Sequence, residues 1–325
     1  MYNKEEVRSL LPDSSKPLFD DIVLSRVLGA NEHIRLIGEI LKEMASHGIE
    51  SKKLLVDIKV VATFFKQTRG QNSRAIYHAI MMYMCNIDDS LYKMPINEIR
   101  IKINENVQGY ADKAKEALER LVSFGVHLCE TMTSIMIFDY SSTVDAFVQA
   151  LPAEITIYIP ESRALDGGRP FVKHAVSSGH HVHFIPDTAM LSALLECDAA
   201  FMGAESFYPD GRVFNTIGSD MLSVLCQYSK KPLYVLTPMI KVDIRPVYGY
   251  VRLSPMPFDY QQRLAAHWDN SLSDKVDFHG FKLLEIKAEY ISAFITELGV
   301  LPSGAIFHYA MEYAKTIEET DRKGI

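Results

Sequence analysis

The apolar residues change their period near residue 126, and that change constrains the fold more than any other feature of the chain. Before it they recur at helical spacing, over residues 19–44, 54–65, 74–84 and 106–124. The last stretch carries many Lys and Glu residues on its polar face. After it, short apolar runs at 134–138, 155–159, 181–185, 199–202 and 233–236 alternate with segments at helical spacing. Those segments cover 143–151, 169–178, 188–195 and 220–228. Strand–helix alternation of this kind predicts a parallel sheet with helices on both faces. The expected fold class is therefore α/β. A helical amino-terminal domain, residues 1–125, precedes a Rossmann-like parallel-sheet domain, residues 126–325, with the boundary near 124–133.

Bulk properties narrow the function. Of the 325 residues, 48% are hydrophobic and 23% charged, as in soluble globular proteins. A net charge of -7 leaves no basic surplus to neutralise phosphates, so direct nucleic-acid binding is not expected. Small anionic ligands need only local positive charge. The first residues, Met1 to Glu6, lack the apolar core of a signal peptide, and no apolar run is long enough to span a bilayer. Cys85, Cys129, Cys197 and Cys226 form no CxxC pair, which fits reduced thiols in a cytoplasmic protein and argues against structural zinc.

The chemistry gathers where strands are expected to end, the edge at which open α/β sheets keep ligands. The run Ala199 to Met202 leads into Gly203-Ala204-Glu205, which sets Glu205 at such an end. A Pro209-Asp210-Gly211 turn follows, and Asn215 is expected to open a new helix. Asp139 ends the first strand, and Ser141 and Ser142 then start a helix whose free N–H groups suit a phosphate; the same serines read equally as helix caps. Arg163 can hold a phosphate or carboxylate bidentately, or pair with Glu161 or Asp166. Lys241, beyond the fifth strand, is a second anion contact or a solvated lysine.

Asp139 and Glu205 are the acid–base candidates. They end strands expected to be neighbours, and two close carboxylates force one pKa upward. His180, His181 and His183 lack acidic or thiol partners at ligand spacing, so they are expected at the solvent edge rather than on a metal. There is no G-x-G-x-x-G after the first strand, no G-x-x-x-x-G-K-[ST] loop and no G-x-S-x-G turn.

Several ordered motifs carry a family resemblance. Glu161-Ser162-Arg163 with Gly168-Arg169, Gly203-Ala204-Glu205, and Asp210-Gly211 followed by Asn215-Thr216-Ile217-Gly218-Ser219 make up its centre. Glu289-Tyr290-Ile291 with Ile295-Thr296-Glu297-Leu298-Gly299-Val300-Leu301-Pro302-Ser303 closes it. The chain resembles the family that unites the alpha, beta and delta subunits of eukaryotic initiation factor 2B with two isomerases. These are 5-methylthioribose-1-phosphate isomerase and ribose-1,5-bisphosphate isomerase. The resemblance implies a NagB/RpiA-like carboxyl-terminal domain, a homodimer through that domain, and no metal or redox cofactor. In the isomerases it implies an acid–base pair of a cysteine after strand one and the aspartate of G-A-D. Here Asp139 falls at the cysteine position and Glu205 at the aspartate position. Thr216 replaces the usual lysine, and Arg69 matches the arginine of an R-P-T segment.

Two functions are expected on these grounds. The first is a protein that binds a phosphorylated sugar or nucleotide, with aldose–ketose isomerase activity on a phosphorylated pentose. There Arg69, Ser141, Ser142, Arg163, Asn215, Thr216 and Lys241 hold the ligand, and Asp139 and Glu205 move the proton. The second is a non-catalytic regulatory subunit resembling those of initiation factor 2B, bound to a GTPase-containing complex. Residues 290–301 read as a dimer contact or as a core helix.

Overall fold

Residues 135–138 are apolar throughout, and a strand buried on both faces needs such a run. The computed structural model of the chain, which describes residues 3–24, 26–27, 29–250 and 257–322, forms a strand there, β1 (Ser134–Phe138), buried along its whole length. The other strands are β2 (Thr156–Pro160), β3 (His181–Ile185), β4 (Ala199–Met202), β5 (Ser206–Phe207), β6 (Val213–Thr216) and β7 (Leu233–Leu236). Then come β8 (Pro257–Asp259), β9 (His279–Phe281), β10 (Leu283–Ile286), β11 (Ala293–Thr296) and β12 (Gly299–Pro302).

Among the described residues, seven strands form the main sheet in the order β12-β11-β7-β4-β1-β2-β3. All of its neighbours pair in parallel except β11 and β12. The chain therefore runs outward from β1 through β2 to β3, then returns to lay β4 on the other side of β1. That reversal is the topological switch point of a doubly wound sheet, where a crevice opens beyond the strand ends.

Helices α1 (Lys4–Ser9), α2 (Lys16–Val23), α3 (Ala30–His47), α4 (Ser51–Thr68), α5 (Arg74–Tyr83) and α6 (Ile96–Leu128) precede the sheet. Within and after it come α7 (Ser142–Ala150), α8 (Arg169–Ser177), α9 (Met190–Leu195), α10 (Ser219–Ser229), α11 (Gln261–Leu264), α12 (Asn270–Ser273) and α13 (Ile306–Arg322).

The described residues fall into two compact units, one from 1–116, 240–242 and 311–325, the other from 117–239 and 243–310. In the first, α3 turns Ile34, Ile37, Leu41 and Met44 inward at helical spacing, onto a core with Phe65, Ile76 and Tyr83. Arg100 closes the end of α3 by donating from Nε to the Ala45 carbonyl at 3.0 Å and from Nη2 to the Gly48 carbonyl at 2.8 Å. Such bonds satisfy carbonyls that a helix end leaves orphaned.

In the second unit, Ile135 and Ile137 share a core with Phe147 of α7 and Phe171 of α8. Met136 and Phe138 are as deeply buried but alternate to the other face. Each of these fully buried side chains contributes roughly 1.5–3 kcal/mol, so β1 is a rigid base for the loop beyond Phe138.

Three expectations change. Asn215 does not open a helix: it lies in β6, opposite Leu284, and the helix begins at Ser219. A partner strand about seventy residues downstream claims Asn215, which nothing local announces. Residues 290–301 are not a core helix but largely the hairpin of β11 and β12, whose β-branched Ile295, Thr296 and Val300 suit a pleated surface. His180 is not at the solvent edge: its ring is buried, with Nε2 2.9 Å from the Val148 carbonyl. His181 and His183 do face outward on β3, the sheet edge, where His183 stacks on Tyr158 with ring centroids 4.7 Å apart.

Candidate functional site

Asp139 comes directly after β1, with its backbone in the left-handed region at φ 54°. That turn swings the chain off the sheet and leaves the carboxyl inside, only 8% exposed. Oδ1 accepts the Ser162 hydroxyl hydrogen at 2.9 Å, and the Thr216 side chain and the Tyr140 N–H also hydrogen-bond to the carboxyl. These bonds, and the charge of Lys282, favour the ionised form; burial opposes it and outweighs them. The Asp139 pKa is therefore raised above the ordinary aspartate value.

The loops after β2 and β4 come to this spot. The loop after β2 brings Ser162, whose N–H and that of Arg163 are held by the two Asp187 carboxylate oxygens, at 2.8 Å each. Gly167 lies so close to the acid that a Cβ there would stand 2.0 Å from the Asp139 Oδ1. Beyond β4, a Cβ on Gly203 would stand 2.6 Å from the Ser141 Oγ, so the loops after β1 and β4 touch across the switch point. Ser141 precedes α7 but its hydroxyl makes no capping bond, so the cap reading does not describe it. Ser142 is exposed in the first turn of α7.

Glu205 is half-buried two residues past Gly203, its N–H donating to the Phe214 carbonyl at 2.9 Å. Two residues further along β6, Thr216 meets Asp139. A strand rises about 3.3 Å per residue, so the Glu205 backbone and the Asp139 carboxyl meet β6 two residues apart. Between them Asn215 is buried, its Nδ2 donating to the Ser219 Oγ at 3.0 Å and so bracing the start of α10.

Arg163 is exposed, and among the described residues no carboxylate pairs with it; Asp166 instead lies 4.0 Å from Arg169. Asp139, Ser141 and Ser142 follow β1, Arg163 follows β2 and Glu205 follows β4, with Asn215 and Thr216 on β6, all in one unit. Arg69 and Lys241 belong to the other unit. There Arg69 ends α4 and donates from Nη2 to the Ile22 carbonyl and, at 3.0 Å, to that of Val23, closing α2. Lys241 is half-buried at the end of a short 3-10 turn.

Sequence reasoning missed four contributors: Ser162 as the donor to Asp139, Asp187 behind it, Gly167 against it, and Lys282. Ser162 lies in the Glu161-Ser162-Arg163 motif and Gly167 directly precedes the Gly168-Arg169 element, while Asp187 and Lys282 carry no local signal. Among the described residues no cluster of three or more His, Cys, Asp or Glu could hold a metal ion, and no helix is long and apolar enough to cross a membrane. Of the four cysteines, all free, Cys129, Cys197 and Cys226 are buried, and burial raises the pKa of each thiol.

Known proteins share this fold. Ribose 1,5-bisphosphate isomerase of Pyrococcus furiosus is 23% identical over 326 residues, covering 90% of this chain and 94% of that protein. Among solved structures, 5-methylthioribose 1-phosphate isomerase of Pyrococcus horikoshii OT3 superposes with a TM-score of 0.74 at 19% identity, over 96% of this chain and 92% of that one. The translation initiation factor eIF-2B of the same organism gives 0.71 at 19% identity, over 90% and 98%. These likenesses establish the fold. The sequence profile of the Initiation factor 2 subunit family matches residues 27–303, most of the chain, and the protein belongs to that family.

Proposed function

We propose that the chain binds a phosphorylated pentose at the switch point between β1 and β4 and isomerises it from aldose to ketose. The observation that carries this reading is the burial of Asp139, an acid shifted toward its protonated form, at the strand end beside the Glu205 loop. Enzymes place acids and bases with altered pKa values in such crevices. Family members named as ribose 1,5-bisphosphate and 5-methylthioribose 1-phosphate isomerases support the substrate class.

A ring-closed aldose 1-phosphate reacts in three steps. Protonated Asp139 gives its proton to the ring oxygen as the bond from C1 to that oxygen breaks, the electron pair leaving with the oxygen. Glu205 takes the proton from C2, and that bonding pair forms a C1–C2 double bond. Glu205 then returns the proton to C1 while the C2 hydroxyl loses its own, forming the C2 carbonyl and restoring protonated Asp139. Arg163, Ser141 and Ser142 hold the phosphate, as a guanidinium and a helix start are suited to do. Homodimer formation and a cytoplasmic location belong to the same reading, supported by the family alone.

Incubation with a panel of phosphorylated pentoses, and NMR to detect the ketose, tests it. Asp139→Asn and Glu205→Gln should each cut turnover by about a hundredfold or more. Full turnover by either variant removes that residue from the mechanism. Binding without turnover by the wild type would leave a sensor rather than an enzyme.

A further inference from the structure

We infer that Lys282 receives the anionic group of the phosphorylated sugar beside Asp139, an inference that rests on the function proposed above. Lys282 stands between β9 and β10, where the chain bends and changes ladder partner. β9 pairs with β8, whereas β10 pairs with β6. The alternation that would turn successive side chains to opposite faces is interrupted at that bend, so Lys282 is not bound to the face opposite Leu283.

Its backbone is tied to the site. The Lys282 carbonyl accepts the Ile217 N–H at 3.1 Å, and Leu283 lies opposite Thr216, the residue bonded to Asp139. The side chain is half-buried, and among the described residues no carboxylate stands within ion-pair distance of its ammonium group. Its charge nevertheless reaches Asp139 and favours the ionised form. The ammonium of this half-buried lysine, beside an acid that burial drives toward neutrality, lacks a full counter-charge. A phosphate or an oxyanion of the substrate supplies one, and a lysine meets it as a compact charge with three rotatable donors.

Calorimetric titration with ribose 5-phosphate and ribose 1-phosphate, with unphosphorylated ribose as control, tests the assignment. Lys282→Met should weaken binding of at least one phosphorylated sugar by about tenfold or more and flatten its salt dependence. Lys282→Arg should stay within about threefold of the wild type, and ribose should bind all three proteins alike. Should the methionine variant fail to fold, Lys282→Gln keeps a polar end and removes the charge. A charge-free variant that binds both phosphorylated sugars as tightly as the wild type overturns the role of Lys282 and leaves the proposed function standing. A wild type that binds neither, nor any other phosphorylated pentose, overturns both.

Discussion

Ser162 donates its hydroxyl hydrogen to the Asp139 Oδ1 at 2.9 Å, joining the loop after β2 to the end of β1. The donor is fixed from behind, because Asp187, just past β3, grips the N–H groups of Ser162 and Arg163. Three strands that are consecutive in the chain and adjacent in the sheet thus hold one buried acid in place.

Ser162→Ala should therefore raise the Asp139 pKa further, because that hydrogen bond favours the carboxylate. Loss of a partner from a buried polar group costs about 1–3 kcal/mol of folding stability. Carbon-13 titration of the Asp139 carboxyl and urea denaturation read the two effects separately. An unchanged carboxyl titration would mean that the bond does not act on the acid.

Gly167→Ala asks whether the loop must approach the acid so closely. A methyl there would stand 2.0 Å from the Asp139 Oδ1, so the carboxyl or the loop has to move. Overpacking of this kind costs about 1–3 kcal/mol. The expected outcome is a folded protein with sugar-phosphate turnover down by about tenfold or more, since sub-ångström placement governs proton transfer. Circular dichroism with the NMR turnover assay checks it.

Much of the sheet domain is legible from local pattern. The strands at 134–138, 181–185, 199–202 and 233–236 form at the expected bounds, because apolar runs of four or five residues between helical segments leave little other choice. Asp139 and Glu205 are legible for the same reason, as the first acids past two such runs. The features that escape are decided by distant partners. Asn215 sits in β6 because β10 pairs with it, and Ile295 is a strand residue because it lies beside Leu236 of β7. Lys282 reaches the site through that same β6–β10 pairing, and Ser162 turns toward Asp139 because Asp187 holds its backbone. No window of sequence contains both members of any of these pairs.

Arg69→Met separates a structural from a ligand-binding role for that residue. Its guanidinium donates to the Ile22 and Val23 carbonyls at the end of α2. Removing a charged donor from such carbonyls should cost about 1–3 kcal/mol, read as a lower urea midpoint with an unchanged slope. A variant as stable as the wild type but weaker for ribose 5-phosphate would instead give Arg69 to the ligand.

The raised Asp139 pKa makes a site residue costly to the fold, and pH reveals it. Burial raises the folded-state pKa above the unfolded value near 3.8, so between the two the native protein binds the extra proton. Stability from this group is complete below the unfolded pKa and is lost as pH rises through the folded one. Each tenfold difference in acid strength between the states is worth about 1.4 kcal/mol. Asp139→Asn has no such proton to lose and, like Asp, tolerates the left-handed backbone at φ 54°. It should therefore be more stable than the wild type at pH 7, with the advantage shrinking as pH falls toward 4, while turnover falls by about a hundredfold or more. Urea denaturation of both proteins from pH 4 to 8 measures the difference. A constant gap across that range would mean that Asp139 titrates alike in the folded and unfolded chain, and that burial does not set its acidity.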